Sequence, residues 1–186
     1  MPRTASRTAR STRSQTALDL LKADHAEVKK LFNQFEKQKK SEDDEGMEQT
    51  VQAICQALSI HAQIEEEIFY PALRAAADAD DALDEADVEH SHVKELVSEI
   101  EEARAGDDHF EARVKVLSEY VQHHVDEEES TIFSKARKAD VDLAALGEQL
   151  RARKEELGVG EGEPDVAALA GRQEASRKRN SQRVTR

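Results

Sequence analysis

The chain has 186 residues, 38% apolar and 36% charged, with 4% aromatics, no Trp and a formal net charge of −13. That length suits one domain with a sizeable core, and no apolar run is long enough to cross a membrane. Cys55 is the single cysteine, which rules out an internal disulfide and favours a reducing compartment, so a cytoplasmic location is expected. Three Pro, seven Gly and a middle rich in Ala, Glu, Lys and Leu predict an all-α fold.

Charge is unevenly spread. Residues 1–16 hold +4 and residues 171–186 hold +5, which leaves −22 on residues 17–170. A body this acidic repels nucleic acid and attracts cations. The basic ends could touch nucleic acid or anionic lipid, but their composition reads as a disordered arm over 1–15 and a disordered tail over 159–186. The first residues are Arg/Ser/Thr-rich without the apolar stretch of a secretory signal.

Between the ends, apolar residues recur at three and four. A first helix is expected from Thr16 to Lys40, with Leu18, Leu21, His25, Val28, Leu31, Phe32 and Phe35 on one stripe. Ser41–Gly46 is an acidic turn. A second helix, about Met47–Ala77, carries Val51, Ile54, Leu58, His61, Glu65, Ile68 and Phe69 on one side, and Pro71 should kink or end it. A third, about Ala82–Ala105, carries Ala86, His90, Val93, Val97 and Ile100. Gly106-Asp107-Asp108 breaks the pattern and offers an Asp as N-cap for a fourth helix, about His109–Lys138. That helix carries Val114, Leu117, Val121, His124 and Glu128. A fifth, about Val141–Leu157, is expected to pack over one end of a bundle spanning residues 16–138.

The informative stretch is His61-Ala62-Gln63-Ile64-Glu65-Glu66-Glu67-Ile68-Phe69-Tyr70-Pro71. Residues four apart share a helix face, so His61 and Glu65 point the same way. The stretch recurs 63 residues later, with His124 over His61 and Glu128 over Glu65. Asp24-His25 likewise falls on Glu89-His90, 65 residues on. The chain therefore reads as two related helical hairpins, each giving one lone His and one His-x-x-x-Glu pair. Folded up-down-up-down, they bring His25, His61, Glu65, His90, His124 and Glu128 into one core. A carboxylate on an apolar stripe costs several kcal/mol, on the order of buried-charge penalties, unless it is paired or coordinated. Six such ligands suit two metal ions bridged by the carboxylates. Imidazole fits Fe, Zn or Cu, and mixed His/carboxylate ligation favours iron over Mg or Ca.

Other candidates read differently. Tyr120 lies four before His124 and could donate to the pocket; a core tyrosine is the plainer alternative. His92, His109 and His123 fall outside the repeat register. Glu66, Glu67, Glu127 and Glu129 read as a solvated face, and Cys55 as a core or boundary residue.

Together His25, His61-x-x-x-Glu65, His90 and His124-x-x-x-Glu128, with the endings EEEIFYP and EEESTIF, resemble the hemerythrin HHE cation-binding family over roughly residues 16–138. The resemblance implies a four-helix bundle with an oxo- or hydroxo-bridged non-haem di-iron centre, zinc being a possible substitute, that binds O2, peroxide or nitric oxide. Oxygen-carrying members have a fifth His four positions after the third-helix His, where this chain has Lys94, and end with an Asp at spacing five. The pattern here leans toward members with suggested roles in sensing, iron handling and peroxide or nitric oxide chemistry. Two further readings stay open: a catalase-like or oxidase enzyme at the same centre, and a metal-dependent stress-signalling module with a protein partner.

Overall fold

A computed structural model describes residues 15–158, and among them every element is helical. The expected arm at 1–15, all but its last residue, and the expected tail at 159–186 lie outside the described residues. Helix α1 spans Ala17–Lys40 and starts on a capping box, in which the Thr16 hydroxyl accepts from the Asp19 amide while the Asp19 carboxylate accepts from the Thr16 amide. Helix α2 spans Asp44–Ile64, capped by Asp43. It does not stop at Pro71. It runs through a π turn, Glu65–Phe69, into α3, Tyr70–Ala76.

Helix α4 spans Asp80–Glu101 and α5 spans Phe110–Glu127. A second π turn, Glu128–Ile132, leads into α6, Phe133–Ala136. The N-cap of α5 differs from the expectation. His109 occupies it in the left-handed region at φ 68°, with no side-chain cap, and the Asp107 carboxylate instead accepts from the Arg104 amide at 2.8 Å. Helix α7 spans Leu143–Gly158.

Two hairpins, α1 with α2–α3 and α4 with α5–α6, make the expected bundle, and the predicted stripes face inward. Apolar packing falls into two clusters. One, around Phe35, Ile54, Leu58, Val97, Phe110 and Leu117, fills the end near the α1–α2 turn. The other, around Leu21, Ile64, Phe69, Leu73, Leu83 and Phe133, fills the opposite end. The polar ligand candidates lie between them.

The fifth helix packs along the first hairpin rather than capping the bundle. Its Leu146 and Leu150 join Leu18, Leu20, Leu21 and Ile64 in the second cluster. Gly147 allows this approach: a Cβ there would sit 2.5 Å from the Gln15 carbonyl oxygen.

Candidate metal centre

The two-fold repeat survives folding as a pair of matched metal-sized clusters. His25, His61, Glu65 and Glu128 bring one ligand atom each within 4.8 Å of one another, and Glu65, His90 and His124 do the same. The imidazoles meet in pairs: His25 Nε2 is 3.1 Å from His61 Nε2, and His90 Nε2 is 3.2 Å from His124 Nε2. Glu65 lies between the pairs, its Oε2 3.3 Å from His61 Nε2 and 3.5 Å from His90 Nε2. Glu128 Oε2 is 3.2 Å from His25 Nε2. All six residues are buried, the most exposed being His25 at 7%.

All four imidazoles turn Nε2 inward, and in three of them a carboxylate holds the other nitrogen. Glu129 Oε1 is 3.0 Å from His25 Nδ1 and Glu66 Oε1 is 3.0 Å from His90 Nδ1. Glu89 Oε2 is 2.8 Å from His124 Nδ1, while Asp24 Oδ2 stands off at 3.7 Å from His61 Nδ1. This is the carboxylate–histidine arrangement that fixes tautomer and ring direction around bound metals. The four carboxylates obey the same 63- and 65-residue offsets as the ligands. Glu66 and Glu129 are therefore not a solvated face. Cations anchor three of the four from outside: Lys22 on Glu129 at 3.0 Å, Lys94 on Glu66 at 2.6 Å and Lys154 of α7 on Asp24 at 2.6 Å. Lys94, at the position of the extra His in oxygen carriers, thus points to the outer layer.

The π turns explain a residue that periodicity missed. Tyr70 follows His61 by nine, roughly half a turn off its face in a regular α-helix. The π turn, closed by the Tyr70 amide on the Glu65 carbonyl, adds a residue and swings Tyr70 inward. Its ring stacks on His90 at 5.6 Å and its hydroxyl donates to Glu128 Oε1 at 3.4 Å. Phe133, its repeat partner, stacks on His25 at 5.9 Å without a hydroxyl. Tyr120, the sequence candidate for a pocket donor, is 44% exposed and lies edge-on to His92 at 6.3 Å. It is a surface residue because α5 is regular there and carries it off the inner stripe. His109 and His92 are exposed, as expected.

Charge in the cluster is unbalanced without metal. Burial and the neighbouring Glu128 charge push the Glu65 carboxyl well above its ordinary 4.5. Burial works against charge on Glu128 too, but the His25 and Glu65 contacts outweigh it and hold it low. Burial also opposes charge on His25, yet Glu128 and Glu129 hold its pKa above 6.5. His61, fully enclosed, is pushed down to about 4 by burial.

Even so, both Glu65 oxygens, Glu128 Oε2 and His61 Nδ1 are buried with no hydrogen-bond partner among the described residues. Buried polar atoms are almost always satisfied, so this concentration of orphans is the mark of an absent partner. Neutral imidazoles and carboxylates aimed at shared points are the donor set of a transition-metal ion, and the residues fit one ion at each His pair. A cavity of about 20 Å3 adjoins the four imidazoles, walled by Val28, Leu58, Val93 and Val121.

The family model of the Hemerythrin HHE cation binding domain matches residues 16–136. A DNA nickase of Nostoc sp. is 32% identical over 119 residues, which is 64% of this chain and 33% of that protein. The chain thus spans about a third of that relative's length. The crystal structure of a hemerythrin HHE cation binding domain-containing protein from Mycobacterium kansasii matches with a TM-score of 0.65 at 25% identity, over 83% of this chain and 96% of that one. The matched span holds both His/Glu clusters and the bundle that positions them, and the chain belongs to the hemerythrin HHE cation-binding domain family.

Proposed function

We propose that this is a cytoplasmic non-haem di-iron protein that binds or senses a small redox ligand: O2, peroxide or nitric oxide. The observation that carries the reading is the pair of inward-facing imidazole pairs, 3.1 and 3.2 Å apart at Nε2, with partnerless carboxylates between them. His25 and His61 would hold one ion, His90 and His124 the other, with Glu65 and Glu128 shared. Iron there would supply one-electron redox chemistry and binding of a diatomic ligand. The chain's own residues do the rest. Val28, Leu58, Val93 and Val121 leave room for a diatomic molecule beside the imidazoles and keep bulk water out. Glu66, Glu89 and Glu129 keep three imidazoles oriented and electron-rich. A buried free Cys55 suits the reducing compartment in which ferrous iron is available.

Anaerobic reconstitution with ferrous iron followed by air tests this. The expected result is the growth of near-ultraviolet ferric charge-transfer bands that are lost in His61→Ala. Bands of equal intensity in both proteins would overturn it.

A second reading, catalase-like peroxide turnover at the same centre, has Tyr70 in its favour, because its hydroxyl can give or take a proton at Glu128. Tyr70→Phe should then slow peroxide decay while leaving iron content unchanged; decay no faster than with free iron would dismiss it. The nickase activity named for the Nostoc relative gains no support here. The ligands are at most 7% exposed and the surrounding body is strongly acidic.

A further inference from the structure

The two halves of the repeat are not equivalent at the surface. In the first half, Leu20, Leu21 and Ile64 are buried, Ile60 packs against them, and α7 covers this side with Leu146 and Leu150. The matching positions in the second half are Glu85, Ala86, Glu127 and His123. No apolar lid is built from these residues. His123 and Glu127 have side chains 63% and 46% exposed, with His123 Nε2 3.5 Å from Glu127 Oε1 and 3.8 Å from Glu89 Oε1. Ligand atoms of Glu89, His123 and Glu127 lie within 4.8 Å of one another.

Beneath them is a cavity of about 100 Å3, lined on its outer part by Glu85, Glu89 and Glu127 and on its inner part by His124 and Glu128. Glu128 is 1% exposed and its Oε2 is without a partner. Glu89 spans both layers, with Oε2 on His124 Nδ1 at 2.8 Å and Oε1 facing His123.

We propose that His123, Glu127 and Glu89 form a capture site for a hydrated divalent cation, and that the cavity beneath them passes the ion inward to His124 and Glu128. The proposal rests on the buried centre described above and assigns its loading route. A buried site with ligands at most 7% exposed needs an entrance. Carboxylates and an imidazole offer a cation a ladder of ligands that replaces its water stepwise. The acidic mouth also concentrates cations, an effect worth about 10- to 1000-fold in association rate for focused clefts. The other half has Ile60 and Ile64 where this ladder would be.

Cobalt(II) uptake followed by its visible d–d absorbance in stopped flow tests the route on the full chain. His123→Ala combined with Glu127→Gln should slow loading by about tenfold at low salt, with the gap closing as salt rises. Glu119→Gln, which removes a like charge elsewhere on α5, should load as the wild type does. The final cobalt per chain should match in all three. Equal loading rates in the double variant and in Glu119→Gln would overturn the route, as would a lower final stoichiometry in the double variant, which would make these residues part of the resting centre. Failure of the wild type to take up cobalt would instead strike the buried centre itself.

Discussion

Replacing Glu65 by Met should stabilise the metal-free bundle and abolish its response to metal. Glu65 is fully buried and neither of its oxygens has a hydrogen-bond partner among the described residues. Burial and Glu128 push its carboxyl well above 4.5, and Glu128 keeps its His25 contact at 3.2 Å when Glu65 is removed. Met has similar length and volume and fits a core of Ile64, Phe69 and Leu73. Relieving one unsatisfied buried polar group is worth about 1–3 kcal/mol, and taking 2 kcal/mol at about 2–4 °C per kcal/mol predicts a melting point roughly 4–8 °C higher in chelator. Metal at 100 times Kd adds about 2.7 kcal/mol to the wild type, so its melting point should then pass that of the variant. The assay is thermal unfolding followed by helical circular dichroism, in chelator and in saturating cobalt(II). A variant that melts below the wild type in chelator, or that gains as much as the wild type from metal, would refute the reasoning.

Four further outcomes follow from the same geometry. Metal binding should be accompanied by proton release, because the Glu65 carboxyl is held well above 4.5 and His25 above 6.5 in the metal-free fold and coordination needs the deprotonated forms. Calorimetry in two buffers of different ionisation enthalpy measures this, and buffer-independent heats would contradict it. Without metal, the His25 contribution to stability is full below pH 6.5 and is lost as pH rises through its raised folded pKa. That of His61 has the opposite sign: it is present above 6.5 and lost as pH falls toward about 4. Glu129→Gln should weaken metal affinity about 10- to 100-fold by loosening His25, while Glu119→Gln leaves it alone; equal affinities would remove the orienting role. Burial, reinforced by the Glu101 charge, pushes the Cys55 thiol up to about 12, so a thiol reagent at neutral pH should label it only after unfolding; rapid labelling of the native protein would contradict its placement in the core.

The helix stripes were legible because burial in this bundle follows the α period. His25, Val28 and Phe35 on α1, and Val114, Val121 and His124 on α5, face inward as their spacing requires. The convergence of six ligand candidates followed from the repeat, since the internal match needed no knowledge of crossing angles. The π turns at Glu65 and Glu128 were not legible. A single inserted residue leaves no compositional trace, and the regular period then assigns Tyr70 to the wrong face. The outer carboxylates were missed for another reason. Glu66 and Glu129 sit among like residues, and an acidic run on a helix usually faces water. Their signal was present in the repeat, because Glu66 and Glu129 keep the 63-residue offset and Asp24 and Glu89 the 65-residue one. The placement of α7 depended on Gly147 meeting the start of α1 and on Lys154 reaching Asp24, contacts across more than a hundred residues that no local pattern encodes.

The most direct test of the central claim is metal content per chain after anaerobic ferrous reconstitution and removal of loosely bound ions, on the wild type and on His61→Ala and His124→Ala. Two ions are expected in the wild type, with one position lost in each single variant and unchanged helical content throughout. One ion or none in the wild type, or variants that keep the full load, would contradict a centre built from two imidazole pairs sharing Glu65 and Glu128.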